Sequence, residues 1–249
     1  MKKTFTTSLL AGGLLLANST VRAQVSFSIG PKVGYNQSFS PFDYPNQDYL
    51  TVTNASRNGV EAGLMAQIGF SNHWAVQPAV LYAQKEFNFV EKAYDARYNY
   101  AYQGDYSFRF DYLTIPVNAV YSHRPKGQGL QVFAGPYVGF LLGGRYTSSQ
   151  SGRYGSGASR GQSNEGDVKA GDTYNNRPGE AYVSRGVDAG LQGKLGYGLA
   201  GGFQVQASYS QGLRNLGAAY APGVTSATPP TYRSNAFQPS TAYLFGLKY

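Results

Sequence analysis

Cysteine and histidine, two residue types that often carry nucleophilic and acid–base chemistry, are scarce in this sequence. Cysteine is absent, which excludes thiol catalysis and thiolate metal sites. The two histidines, His73 and His123, each lie in a short polar stretch between alternating apolar segments. A Ser/His hydrolase needs a histidine beside its nucleophile, and both histidines are expected at the end of the molecule opposite the long loops. The sequence therefore predicts no enzymatic activity, no metal and no cofactor. A carboxylate-only site in the long loops stays open as an alternative.

Charged residues at the polar positions of alternating segments are the second candidate for chemistry. They are Lys32, Glu61, Asp188 and Lys194, and the same face holds Gln67, Gln77, Lys85, Gln192, Gln204 and Gln206. If the large apolar side chains of these segments face lipid, the polar ones face a narrow interior, where an unpaired charge costs several kcal/mol. The four charged residues are therefore predicted to belong to an interior polar network. Mutual neutralisation in a plugged interior and conduction or proton relay are the two roles left open.

Alternation of apolar and polar residues predicts that the chain is built from β-strands. The clearest case is a pair of segments, 113–121 and 130–142, which are separated by a short turn and predict a β-hairpin. The same period recurs at 25–35, 60–70, 74–82, 187–197, 203–209 and 243–249. Each segment is about long enough for a tilted strand to cross a bilayer. The predicted fold class is all-β, an eight-stranded antiparallel up-and-down transmembrane β-barrel.

The connections between these segments are alternately long and short. The long ones are 36–58, 88–105, 145–184 and 213–239, and the short ones lie near Asn72, Arg124 and Gly201. In a barrel with an even number of strands, the long extracellular loops share one end, and the short periplasmic turns share the other end with both termini. This arrangement predicts an outer-membrane barrel.

Two features disturb the strand pattern. Prolines, which cannot donate to a strand ladder, occur at Pro78, Pro116 and Pro136. They are expected at bulges or strand ends. Phe108, Phe110 and Tyr112 are out of phase with the apolar residues of 113–121, which predicts a β-bulge between the two sets.

The first 23 residues have the features of a secretory signal peptide. Lys2 and Lys3 precede an apolar core, and small residues end at Ala23, so residues 1–23 are predicted to be removed and 24–249 to form one barrel domain. Cleavage also removes Arg22 and no acidic residue, which lowers the net charge of +8 by three. The remaining basic residues are scattered, so nucleic acid is not an expected partner.

Several stretches occur in an order that resembles a known family. They are SNHWAVQPAVLYAQK, DYLTIPVNAVY, VFAGPYVGFLL, GVDAGLQGKLGYG, YSQGLRNL and the final LFGLKY. This set resembles the PorT-like outer-membrane β-barrel family of Bacteroidota, a porin-family, OmpA-like type of eight-stranded barrel. The resemblance implies the fold and the outer-membrane location. One relative takes part in protein secretion, but nothing in these residues transfers that role.

The expected role is that of a non-catalytic envelope component that acts through its long loops. The candidate recognition residues are Tyr94, Tyr98, Tyr100 and Tyr102, since Tyr among small polar residues suits adaptable binding surfaces. The alternative for these tyrosines is an aromatic girdle. The expected partners are outer-membrane lipid and, because the chain ends on an aromatic strand, the barrel-assembly machinery. A narrow channel for small solutes or ions, a rim-located enzyme and a soluble lipocalin-like binder are the alternative functions.

Overall fold

The computed structural model describes residues 25–43, 50–174, 181–220, 229 and 231–247 of the 249-residue chain. The predicted signal peptide, 1–23, lies outside the described residues, as does Tyr249, the predicted end of the last strand. In the described part, the regular elements are strands and one short 3-10 helix, Pro125–Gly127. No helix in that part is long and apolar enough to span a membrane. The all-β prediction is confirmed.

The strands are numbered in chain order. They are β1 (Ser26–Phe39), β2 (Phe42–Asp43), β3 (Leu50–Gly69), β4 (Trp74–Asp95), β5 (Tyr100–Arg124), β6 (Gln128–Tyr154), β7 (Arg160–Ala170), β8 (Thr173–Tyr174), β9 (Tyr182–Ser184), β10 (Val187–Gly198), β11 (Phe203–Gly212), β12 (Ala219–Tyr220), β13 (Thr231–Tyr232), β14 (Asn235–Tyr243) and β15 (Phe245–Leu247). Several are far longer than the five or six residues of an average strand.

Antiparallel pairing joins the long strands into a closed ring. β1 pairs with β3 on one side and with β14 on the other. The order continues through β4, β5 and β6 and returns to β14 through β10 and β11. The pairing of β6 with β10 closes the ring, and closure removes the edges that an open sheet would expose.

The two faces of the ring have opposite chemistry. Along β11, Gln204 and Gln206 point inward and are buried, while Val205 and Tyr209 point outward and are 41% and 45% exposed. The same alternation holds on the other ring strands, where the exposed outer face carries Val, Leu, Phe and Tyr. An apolar outer face with a polar interior is the arrangement of a transmembrane β-barrel.

Arginine at an outward position in the middle of the apolar face should destabilise the protein. Leu64 of β3 is 58% exposed and pairs with Val80. We expect Leu64→Arg to lower the free energy of unfolding in phospholipid vesicles by about 2–4 kcal/mol, the cost of a charge near the bilayer midplane. Thr53→Arg, at an exposed position near the other end of the same strand, should change it by less than about 0.5 kcal/mol. Equal effects of the two variants would contradict a lipid-facing surface at Leu64.

Short connections lie together at one end of the ring. They join β3 to β4 through 70–73, β5 to β6 through Pro125–Gly127, and β10 to β11 through 199–202. Gly127 has a φ of +70° and Gly201 a φ of +91°, backbone conformations that glycine adopts without steric cost.

Two of the predicted long loops are largely strand, and this corrects the sequence interpretation. In place of the loop 88–105, β4 continues to Asp95 and β5 begins at Tyr100. In place of the irregular segment 145–184, β6 continues to Tyr154 and β7 runs antiparallel beside it. Together with the first residues of β3, these extensions form a sheet that projects beyond the ring, which we call the projecting sheet.

The bulge predicted on β5 is also corrected. Phe108, Phe110 and Tyr112 are buried on the inward face, in phase with Asn118 further along, and β5 pairs with β4 without a register shift. The shift lies on β6, where Asp111 and Tyr112 of β5 pair with Gly143 and Leu141, which leaves Leu142 as the extra residue. The phase change in the sequence therefore marks a change of environment and not a bulge on β5.

The three prolines lie inside strands, so their prediction at bulges or strand ends is wrong. Pro78, Pro116 and Pro136 belong to β4, β5 and β6. Each falls at a break in the pairing with the preceding strand of the ring. Because proline has no N–H to donate, the loss of a ladder bond accounts for each break.

Candidate functional site in the barrel interior

A buried ion pair occupies the middle of the interior. Lys32 on β1 and Glu61 on β3 point inward, and the Lys32 Nζ lies 2.5 Å from Glu61 Oε1. The two side chains are only 2% and 3% exposed. Gly34 makes room for this pair, since a Cβ at that position would lie 2.8 Å from Glu61 Oε1. Each charge neutralises the other in a place where water cannot solvate it.

A second ion pair lies closer to the projecting sheet. Lys85 on β4 donates to Asp188 Oδ2 on β10 at 2.8 Å, and the Tyr137 hydroxyl donates to the same oxygen at 3.3 Å. The Lys85 ammonium also lies 5.2 Å from the ring centre of Tyr112 and 4.9 Å from that of Tyr137, within the range of cation–π attraction. The lysine is thus held by one carboxylate and two aromatic rings.

The four residues predicted as an interior network are all inward and buried, but they do not form one cluster of ion pairs. Lys32 and Glu61 pair with each other, whereas Asp188 pairs with Lys85. Within the described residues, Lys194 has no carboxylate partner at ion-pair distance, although Lys32 and Glu61 both act on it electrostatically. In place of one network, the interior holds two separate ion pairs, Lys32–Glu61 and Lys85–Asp188, and Lys194 lies near the first of them.

Amide side chains fill the end of the interior near the short turns. Gln204 donates to Gln67 at 3.1 Å, and Gln77 donates to both of them at 3.1 Å and 3.3 Å. Further up, Gln192 donates to Asn118 at 2.7 Å. An amide both donates and accepts, so neighbouring glutamines satisfy one another across the ring without introducing charge.

An aromatic cluster fills the opposite end, where the projecting sheet begins. Its buried members are Phe42, Phe87, Phe89, Phe108, Phe110, Tyr112, Leu141, Val168, Leu216 and Tyr232. Phe42 and Tyr232 belong to the paired short strands β2 and β13, and Phe42 stacks on Phe89 at 4.2 Å and on Tyr232 at 5.2 Å. The short strands thus lay their aromatic rings against those of β4 and β5.

Sequence reasoning missed this cluster. On β4 the inward residues Gln77 and Lys85 are polar, but the next two inward residues, Phe87 and Phe89, are aromatic, while the outward residue between them, Asn88, is polar. The alternation continues unbroken and only its polarity reverses, as expected where the outer face of a membrane barrel passes from lipid to water. The alternation of Phe87 and Phe89 with polar residues was the available signal.

The four tyrosines predicted for recognition separate into two pairs. Tyr94 and Tyr98 are 61% and 64% exposed near the tip of the β4–β5 hairpin. Tyr100 packs against Tyr154 with ring centres 4.5 Å apart, and Tyr102 shares a hydrogen bond of 3.0 Å with the Tyr106 hydroxyl. Burial raises the pKa of Tyr102 and of Tyr106 above the ordinary value, so both hydroxyls stay protonated. A recognition role remains a prediction, and Tyr94 and Tyr98 are the exposed members.

The histidines lie far from the projecting sheet. His73 sits in a short connection, and its Nδ1 lies 2.8 Å from the carbonyl oxygen of Ser122. His123 follows Ser122 on β5 and lies at the same end of the ring. No group of His, Asp and Glu side chains that could hold a metal ion occurs among the described residues.

The comparison with family models identifies the class of protein. Residues 4–217 match the model described as outer membrane protein beta-barrel domain. The chain belongs to this family, and membership supports a location in the outer membrane. The search of curated proteins found no match.

Solved structures of low sequence identity are also similar to the chain. The attachment invasion locus protein Ail of Yersinia pestis, solved in complex with the heparin analogue sucrose octasulfate, is 13% identical over 88% of this chain and 99% of its own, with a TM-score of 0.38. The outer membrane protein OprG of Pseudomonas aeruginosa is 11% identical over 88% and 95%, with a TM-score of 0.38. Neisserial surface protein A is 13% identical over 89% and 99%, with a TM-score of 0.33.

Proposed function

We propose that the protein is an eight-stranded integral outer-membrane barrel with a closed interior and no catalytic activity, and that it serves the envelope through its projecting sheet. The filled interior is the observation that carries this proposal. Amides occupy one end, two ion pairs the middle and the aromatic cluster the other end. In a barrel of eight strands the interior is just wide enough for side chains, so these layers leave no continuous aqueous path.

The proposed orientation places the short connections in the periplasm and the projecting sheet outside the cell. Long extracellular segments and short periplasmic turns are the rule for such barrels. The orientation goes with a cleaved signal peptide at 1–23, assembly by the barrel-assembly machinery and PorT-like membership, which the quoted sequence stretches support.

A narrow channel is the second candidate, and the polar interior near the short connections favours it. Gln67, Gln77 and Gln204 would suit hydrated small solutes. The aromatic cluster opposes this function because Phe108 and Phe110 are only 3% and 2% exposed and pack within it. Removing these rings should therefore be required before ions pass.

Planar-bilayer recordings test the closed interior. We expect the purified wild-type barrel to show no stable conductance steps, and the Phe108→Ala, Phe110→Ala double variant to show them, because two large rings leave the cluster. The matched control is Tyr94→Ala, Tyr98→Ala, which removes two exposed rings near the hairpin tip and should stay silent. Steady conductance of the wild-type protein would favour the channel and contradict the closed interior.

A further inference from the structure

On the outward face of β4, β5 and β6, the side chains change from apolar to charged and then to polar along the strands toward the projecting sheet. We call the apolar outer face of the ring the apolar belt. The last apolar row consists of the paired residues Tyr82, Leu113 and Phe140. Two rows higher, the register aligns Glu86, Arg109, Arg145 and Asp167 across β4 to β7. This row lies four residues above Tyr82, about 13 Å along the strand and about 10 Å above the belt at the usual strand tilt.

Arg109 and Arg145 stand directly opposite each other in this row. Like charges at directly opposed positions of a sheet repel each other. The Arg109 Nε is buried and makes no hydrogen bond in the described structure, although Asp111 Oδ1 lies 3.5 Å away. Arg145 is exposed. An anion placed between the exposed ends of the two guanidinium groups would remove the repulsion.

The acidic residues that flank this pair neutralise it only in part, because Asp111 forms one ion pair with Arg109 and Arg145 has none in the described part of the chain. Glu86 lies 3.8 Å from Arg57 of β3, and Asp111 accepts a hydrogen bond from the Tyr82 hydroxyl at 2.9 Å. Within the described residues, Asp167 forms no ion pair with Arg145 even though the two are paired in register. Both guanidinium groups therefore keep donors for an external acceptor.

A trough lined by polar side chains and by Phe89, Val90 and Tyr106 lies immediately above the arginines. It has a volume of about 540 Å³, within the range of ligand pockets. The outward side chains on its two sides are the rows Asn88, Ser107, Thr147, Glu165 and Val90, Asp105, Ser149, Ser163. Four strands at a spacing of about 4.8 Å make the trough about 14 Å long. Its hydroxyl, amide and carboxylate groups suit the hydroxyl groups of a short oligosaccharide.

We propose that Arg109, Arg145 and the trough bind the phosphorylated saccharide headgroup of the outer-leaflet glycolipid. From the membrane outward, such a lipid presents acyl chains, then phosphate, then further sugars. In the same direction the protein presents apolar side chains, then the paired arginines, then hydroxyl and amide groups. Arginine matches phosphate through two parallel hydrogen bonds. The inference rests on the proposed orientation in the outer membrane.

Binding to defined lipids in detergent micelles tests this site. The probe is bisphosphorylated lipid A that carries its first core sugars, and native mass spectrometry of the full folded chain gives the dissociation constant. We expect the Arg109→Gln, Arg145→Gln double variant to weaken binding about tenfold or more, because hydrogen bonds to charged groups are stronger than those between neutral groups. Arg153→Gln, an exposed arginine higher on β6, is the matched control and should bind like the wild type.

Two comparison lipids separate the parts of the site. The same glycolipid after phosphate removal should bind the wild type more weakly, and so should phosphatidylglycerol, which has a phosphate but no sugar. Thr147→Val, Ser107→Ala should reduce the preference for the glycolipid over phosphatidylglycerol. Equal binding of glycolipid and phosphatidylglycerol by the wild type, or an unchanged dissociation constant in the arginine variant, would overturn the inference. If the lipid-binding inference failed but the same samples still migrated faster unboiled than boiled in SDS electrophoresis, the proposed barrel would stand.

Discussion

Replacing Glu61 with glutamine should destabilise the folded protein by about 3–5 kcal/mol, the cost of leaving a buried partner charge uncompensated. The substitution keeps the shape of the side chain but leaves the Lys32 ammonium, only 2% exposed, without its carboxylate. Lys194 lies in the same part of the interior, where any positive charge on its amino group repels Lys32 and is attracted by Glu61. Urea unfolding in phospholipid vesicles measures the effect, with the fluorescence of Trp74, the single tryptophan, as the signal.

The matched control for this prediction removes both charges. Lys32→Met, Glu61→Gln leaves no unpaired ion of the pair, so it should recover much of the lost stability. The cycle of single and double variants then isolates the interaction of the pair. If Glu61→Gln and Lys32→Met, Glu61→Gln were equally unstable, or if Glu61→Gln unfolded like the wild type, the pair would not hold the interior as described.

Replacing Asp188 with asparagine should have an effect of similar size, about 3–5 kcal/mol. Asp188 is fully buried and holds both the Lys85 ammonium and the Tyr137 hydroxyl. Its removal leaves the Lys85 ammonium without a carboxylate, near the rings of Tyr112 and Tyr137. Cation–π attraction to these rings offsets only part of the lost ion pair. The same urea titration gives the change in free energy of unfolding.

The control for Asp188 is an aspartate of the projecting sheet. Asp105 is exposed on the outer face, so Asp105→Asn should change the free energy of unfolding by less than about 0.5 kcal/mol. The Lys85→Met, Asp188→Asn double variant should be more stable than Asp188→Asn alone, because it leaves no unpaired ion of the pair. An Asp188→Asn variant as stable as Asp105→Asn would show that Lys85 finds another partner or water.

Seven of the eight ring strands and their inward faces were predictable because a period of two reveals which residues share a face. The last strand was predicted too late, at 243–249, whereas β14 spans Asn235–Tyr243 and begins inside the predicted loop 213–239. Every charged residue singled out by that reasoning, from Lys32 to Lys194, lies on the interior face. Partner choice was not predictable, since it depends on register and on the stagger of strands that are distant in the chain. Asp188 meets Lys85 across the ring, which no local pattern reveals.

The projecting sheet was missed because the chain passes from one solvent to another. Within the ring, the outer face is apolar, as a lipid-facing surface would be, and polar residues turn inward. In the projecting sheet, the outer face is polar and the aromatic rings of Phe87 and Phe89 turn inward. The sequence from Phe87 to Phe89 keeps its period while its polarity reverses, so a criterion tied to an apolar outer face ended the strand too early. The same reversal at Tyr112 produced the mistaken bulge.

Electrophoresis in SDS of the outer-membrane fraction, boiled and unboiled, tests the central claim most directly. A closed barrel held by buried ion pairs and an aromatic cluster should resist SDS at room temperature, so the unboiled protein should run as a compact, faster band and shift on boiling. The Glu61→Gln and Asp188→Asn variants should lose that shift at a lower temperature than the wild type. Recovery of the wild-type protein in the soluble periplasm without a heat-dependent shift would contradict the barrel, and a soluble lipocalin-like binder would take its place.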